Sequence, residues 1–302
     1  MGITTTSADA FIPEIWQAAL QEPYAKTTRF AQSSIVARQE IQAGKLLAKG
    51  DTLHITSIGD ITVNEYDANA DLDVEDLTFT GSEMKIDKGD YFNFRVEDVT
   101  AVQAAGPIKD PAMRAAAAKL AAKTDKYIAG LLKAEAKHKI GSISIAETSR
   151  SIGINQITAF EALIKLDAKL SSADAPREGR VAFVGPSFYA ALLTDERFTT
   201  VNASGTSDGL RNGMVGRAMG FDIIVTNSIE KTANREIITA VVPGALVFVN
   251  QFNKIEAMRS EKCFADLIRG LNVYGGKVIR PEGVATLEAD VKTVPPVASE
   301  TL

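Results

Sequence analysis

The run from Lys109 to Lys137 constrains this 302-residue chain more than any other feature. It is rich in Ala, Lys and Leu, all strong helix formers. Lys109-Asp110-Pro111 reads as a helix start, with Asp110 as N-cap and Pro111 at the first helical position. Met113, Ala117, Leu120, Thr124, Ile128 and Leu131 recur at helical spacing as a narrow stripe. About 27 residues at 1.5 Å rise make a rod of roughly 40 Å, at least the width of a compact 150-residue domain. The small side chains of the stripe permit close approach of another element. Gly141 is the expected stop.

Before the rod, from Gly44 to Val99, the pattern changes to period two. Leu53 and Ile55 alternate with Thr52, His54 and Thr56, and Ile61 and Val63 with Thr62 and Asn64. Met84 and Ile86 flank Lys85, and Phe92, Phe94 and Val96 alternate with Asn93, Arg95 and Glu97. This is strand patterning with one buried face. Gly59-Asp60, Gly81-Ser82 and Gly89-Asp90 are expected turns or bulges, and the pattern lapses into an acidic tip between Asp67 and Asp76. The expectation is a long β-hairpin or pair of ribbons. A two-stranded ribbon is marginal in water alone, so it must lie on something else.

After the rod, Ile157, Phe160, Ile164 and Leu170 mark a second amphipathic helix that ends before Pro176. Strands are expected at 181–184, 221–226, 237–242, 245–249 and 267–279, with a short helix from Pro186 to Leu193. This mixture reads as α+β. Met1 to Ala10 reads as a loose arm without a signal peptide, followed by apolar anchors at Phe11 to Trp16. Val291 to Leu302 reads as a disordered tail. Length alone allows about two domains.

Charge is segregated. Residues 60–98 carry twelve acids and three bases; residues 109–139 carry eight bases and three acids. An acidic ribbon and a basic rod in one chain point to an internal pair or to docking between copies. The net charge of −5 does not suit a nucleic-acid clamp. Cys263 is the only cysteine, and His54 and His138 are the only histidines, so internal disulfides, cysteine-based zinc sites and histidine-rich metal sites are excluded. No apolar run approaches the roughly 20 residues of a membrane span.

Tests for chemistry fail in instructive ways. Gly205-Thr206-Ser207-Asp208-Gly209 matches a G-x-S-x-G elbow, but no core strand precedes it and both histidines lie upstream, so Ser207 reads as a loop residue. Asp67, Asn69, Asp71 and Asp73 alternate like a calcium loop, yet Leu72 and Thr78 occupy the positions that need Gly and Glu. Glycines 205, 209, 213, 216 and 220 fit neither phosphate-binding fingerprint and read as turn residues. His54 and His138 read as surface histidines, the latter at the end of the rod, and Cys263 as an inert thiol. No cofactor and no enzyme activity are expected.

Several segments together resemble the tailed-bacteriophage major capsid protein family. They are Phe11-Ile12-Pro13-Glu14-Ile15-Trp16, residues 50–63, Tyr91-Phe92-Asn93-Phe94-Arg95-Val96-Glu97-Asp98, residues 216–227 and residues 270–278, in the family's order over about 11–285. The resemblance implies the HK-ninety-seven-type capsid fold. On this chain it implies an N-terminal arm at 1–43, an extended β loop at 44–98, and a peripheral domain at 99–139 and 266–290 that carries a long spine helix. An axial β-sheet domain falls at 140–265, and a tail at 291–302. It further implies hexamers and pentamers closing into an icosahedral shell around double-stranded DNA held without sequence specificity, with a separate scaffolding protein and a portal, assembled in the host bacterial cytoplasm. An encapsulin-like nanocompartment shell is the alternative. The charge segregation then suggests inter-subunit contacts between Asp67, Asp71, Asp73, Glu75 and Asp76 of one copy and Arg114, Lys119 and Lys123 of the next.

Overall fold

A computed structural model of the chain describes residues 28–31, 36–37, 50–58, 76, 79–97, 109–147, 155–195, 216–233, 235–260 and 264–292. The segment Phe11 to Trp16, the residues 59–75, Ser207 and Cys263 lie outside them.

The rod forms as α1 (Lys109–Glu135). Met113, Ala117, Leu120, Thr124 and Ile128 of its stripe are buried, joined by Ala121 and Leu132. The helix stops earlier than Gly141. Lys137 N–H donates to Pro281 O at 3.1 Å, and the Lys139 ammonium caps the Ala134 carbonyl at 2.7 Å. The chain then turns directly into β5 (His138–Ala146). Gly141 sits at an irregularity in that strand, where the ladder steps from Leu287↔Ile140 to Glu288↔Ser142, so the glycine marks a bulge rather than a helix end.

Two sheets flank α1. The smaller has the order β1 (Val36–Ala37), β12 (Leu246–Arg259), β13 (Ala265–Val278), β4 (Lys88–Glu97). β12 and β13 form a long antiparallel pair, and β4 zips onto β13 from Ala265↔Glu97 to Tyr274↔Lys88. The N-terminal half of α1 packs Met113, Ala117, Leu120 and Ala121 on Ile268, Phe92 and Phe94.

The larger, eight-stranded sheet runs β6 (Gln156–Ile157), β5, β14 (Val284–Lys292), β11 (Arg235–Val241), β7 (Val181–Val184), β9 (Phe221–Val225), β8 (Arg217–Ala218), with β10 (Lys231–Thr232) paired to β11. One face carries α2 (Ala159–Ser171) and α3 (Pro186–Leu193), whose Leu163, Leu166, Phe188 and Leu192 pack on Ala182, Val184, Ile238 and Leu287. The other face meets the C-terminal half of α1, where Ile128 and Leu132 share a core with Phe183, Val241, Phe248 and Tyr274. One helix thus belongs to the cores of both sheets.

Local chemistry explains the boundaries. Thr158 and Glu161 close a reciprocal capping box on α2, each bond 3.2 Å. Gly185 cannot cap α3 with a side chain, so Glu236 of β11 accepts from Phe188 N–H at 3.1 Å instead; a Cβ at Gly185 would sit 2.3 Å from that carboxylate. Met219 and Gly220 both have positive φ, which fits the two-residue turn joining β8 and β9.

Three expectations change. The strand at 91–98 does not return along the ribbon. β2 (Thr52–Ile58) pairs with β3 (Phe79–Lys85), while β4 joins the four-stranded sheet. Gly81 and Gly89 lie within β3 and β4, and the break between these strands falls at Ile86-Asp87. Val291 and Lys292 are not tail: they extend β14, whose Ala, Leu and Val positions alternate into the larger core.

Candidate assembly surface

The β2–β3 hairpin rests on the smaller sheet only by its root. Ile55, Met84 and Ile86 bury against Val247, Val249 and Val273, with Leu53 and Ile279 beside them. The approach is close because Gly275 lacks a side chain: a Cβ there would lie 2.8 Å from the Lys85 carbonyl. Lys277 tethers the same strand by donating to Glu83 O at 2.9 Å. The hairpin root therefore covers one face of the sheet and α1 the other.

Beyond the root, the hairpin-side face of the sheet is bare among the described residues. Register places Tyr91 opposite Leu271, Asn93 opposite Arg269 and Arg95 opposite Leu267; Glu256 and Met258 follow on β12. Tyr91 is 77% exposed, Phe264 83%, Met258 44% and Leu271 40%. Tyr91, Asn93, Glu256, Arg269 and Leu271 border a cleft of about 410 Å³. Reading the sequence for charge missed this apolar patch. Its signal is Tyr91 at an outward position of the Phe92, Phe94, Val96 alternation.

Of the residues singled out by charge, Asp76, Arg114, Lys119 and Lys123 are described, and all four are exposed. The structure brings Lys123 to Asp90 of its own β4, and Asp90 also accepts from the Tyr274 hydroxyl at 2.7 Å. Arg114 and Lys119 make no ion pair among the described residues. Asp67, Asp71, Asp73 and Glu75 lie outside these residues.

A second feature ties the chain before the hairpin to α1. The buried Asp125 carboxylate accepts from Arg29 N–H at 2.9 Å and Phe30 N–H at 3.1 Å, and the Phe30 ring stacks on Phe183 at 3.9 Å. Burial pushes the Asp125 carboxyl up to about 6, against the pull of those two backbone donors.

His54 is exposed, with Nδ1 3.6 Å from Glu83. His138 is not at the helix end but opens β5; it is half-buried, and its Nε2 has no hydrogen-bond partner. Among the described residues no group of three or more His, Cys, Asp or Glu side chains is placed to hold a metal ion, and no helix is long and apolar enough to cross a membrane. The surface is built of sheet face, strand edge and charge, which is the chemistry of docking.

Comparison with known proteins assigns this architecture to a class: structural proteins that build shells. The family model described as phage capsid protein matches residues 81–287. A solved structure from Mycobacterium phage Che8 is 32% identical, covering 79% of this chain and 85% of that one, with a TM-score of 0.63. The capsid structure of the cyanophage P-SCSP1u, at 15% identity, covers 84% of this chain and 93% of that one with a TM-score of 0.63. A virus-like particle from Pyrococcus furiosus, at 17% identity, covers 91% and 98% with a TM-score of 0.54. The latter two show the fold. No curated protein matches. The chain belongs to the phage capsid protein family. It is a major capsid protein with the HK-ninety-seven-type α+β fold, and its place is the virion capsid.

Proposed function

We propose that copies of this chain form hexamers and pentamers that close into an icosahedral head around double-stranded DNA. The observation that carries this reading is the β2–β3 hairpin, anchored on its own subunit by its root alone, beside a bare apolar sheet face. Heterologous contacts of this kind generate closed rings. The role is mechanical rather than catalytic. A separate scaffolding protein and a portal assist assembly in the host cytoplasm, and the DNA is held without sequence specificity.

Within the subunit, residues 1–43 serve as an arm, 44–98 as the extended loop, 99–139 and 266–290 as the peripheral domain, and 140–265 as the axial domain. The acidic Asp67, Asp71, Asp73, Glu75 and Asp76 of one copy reach Arg114, Lys119 and Lys123 of the next. Single exposed pairs contribute only about 0–1 kcal/mol, but a closed shell repeats them many times. Because Lys123 already pairs with Asp90, Arg114 and Lys119 are the cations more available to a neighbour. An encapsulin-like shell has the weaker support, since the archaeal particle shares the fold at 17% identity while the mycobacteriophage structure reaches 32%.

Electron microscopy of the full chain, alone and with the scaffolding protein encoded beside it, tests the reading. Shells with five- and six-fold units are expected. A species that stays monomeric under both conditions contradicts it.

A further inference from the structure

β4 is the outer strand of the four-stranded sheet. It runs for ten residues, and among the described residues nothing pairs with its free edge. A long strand edge is a template for another chain, and proteins that do not use such edges shorten, bulge or cover them. Beside this edge the N-terminal half of α1 leaves a groove of about 440 Å³. Ala112, Ala115, Ala116 and Leu120 form its apolar wall with Phe92 and Phe94, and Lys119 and Lys123 stand at its rim. The alanines keep the helix surface low, so the groove can admit side chains of moderate size.

We infer that the free edge of β4 receives, by strand addition, residues 71–76 of a second copy of this chain. Resting on the capsid reading, this names how and where one subunit holds the next. The segment reads Asp71-Leu72-Asp73-Val74-Glu75-Asp76, acid and apolar in alternation. In an added strand Leu72, Val74 and Asp76 lie on one face and Asp71, Asp73 and Glu75 on the other. The α1 side of the β4 edge offers the apolar groove with its lysine rim. The opposite side continues the row Tyr91, Asn93, Arg95. An alternating segment therefore meets an apolar pocket on one face and a polar, basic row on the other. Backbone hydrogen bonds to the edge supply affinity, and the groove selects the side chains. Ion pairing alone would accept any acidic segment; strand addition requires the alternation and free backbone donors.

The test uses the full chain carrying Leu72→Asp and Val74→Asp, which removes its own competing segment, and a synthetic peptide of residues 68–79. Binding is read by fluorescence titration, and hydrogen exchange is followed over residues 88–97. The expected result is peptide binding with slowed exchange in β4. It should weaken at least tenfold for the peptide bearing Leu72→Ser and Val74→Ser. It should weaken equally when backbone nitrogens are methylated at one of the two alternate sets, 71/73 or 72/74. Equal binding of both methylated peptides, or unchanged exchange in β4, would overturn strand addition. In assembly the same double variant should give at least tenfold fewer shells than the unaltered chain. Shells in undiminished number would sink this inference while leaving the capsid reading intact; an unaltered chain that forms none would sink the capsid reading, and the peptide result would still decide strand addition.

Discussion

The two sheets solve the problem of burial differently. In the larger sheet β14, β11 and β7 lie between α2 and α3 on one face and α1 on the other, so Phe183, Ile238 and Leu287 are wholly enclosed by their own chain. Its buried charge is also answered internally. Arg180, only 1% exposed, pairs with Asp167 and donates to Pro176 O at 2.8 Å and Ala175 O at 2.6 Å. In the smaller sheet one face is half bare, one edge is open, and the hairpin on it is held at its root. The first region is complete as a monomer; the second is completed by neighbours. Mutations should therefore divide into those that unfold and those that disassemble.

The largest effect belongs to the enclosed region. Arg180→Met leaves Asp167 without its guanidinium partner and should destabilise the monomer by about 3–5 kcal/mol in chemical denaturation. A loss below about 1 kcal/mol would break the contrast. Next is Asp125. Its carboxyl is raised from the ordinary 3.8 to about 6, so the folded state binds the proton more tightly than the unfolded chain. This contribution grows as pH falls from about 6 towards 4 and is absent well above 6, by up to about 3 kcal/mol. Acid should tighten the grip on Arg29 and Phe30, slowing proteolysis there, and Asp125→Asn should flatten that pH profile.

Gly275→Ala sharpens the comparison at the boundary. Its new methyl meets the Lys85 carbonyl at 2.8 Å and must push the hairpin root off the sheet, for about 1–3 kcal/mol. Assembly should suffer more than thermal stability. The smallest effect on folding is expected from Lys119→Glu with Lys123→Glu, within about 1 kcal/mol for the monomer. Shell yield should nevertheless fall, and most steeply at low salt, where surface charges are least screened. Unchanged assembly at low salt would remove the acidic-tip contact from the account.

Much of the fold was legible because periodicity and caps are local. The 3.6-residue stripe marked α1, the Pro186 start marked α3, and period two marked β2, β3 and β4. What failed was partner choice. Nothing within 88–97 says that this strand pairs with 265–278 rather than with 52–58; that is decided by Ile268 and Gly270 accepting Phe94 and Phe92 across a long sequence gap. Gly141 read as a stop because glycine punctuates helices and bulges alike. β14 was hidden because Ala285, Ala289 and Val291 alternate weakly, and their burial depends on α2 and β11. The charged half of the docking surface could be read as composition. The apolar half could not, since Tyr91, Leu271 and Met258 become one patch only after three strands align.

Cryo-electron microscopy of an assembled shell addresses the central claim most directly. The account predicts density for the hairpin of one subunit crossing to its neighbour, with residues 71–76 lying along the β4 edge beside Ala115 and Lys119. Density showing that segment folded against its own subunit, with β4 and the Tyr91–Leu271 face open to solvent in the shell, would contradict it.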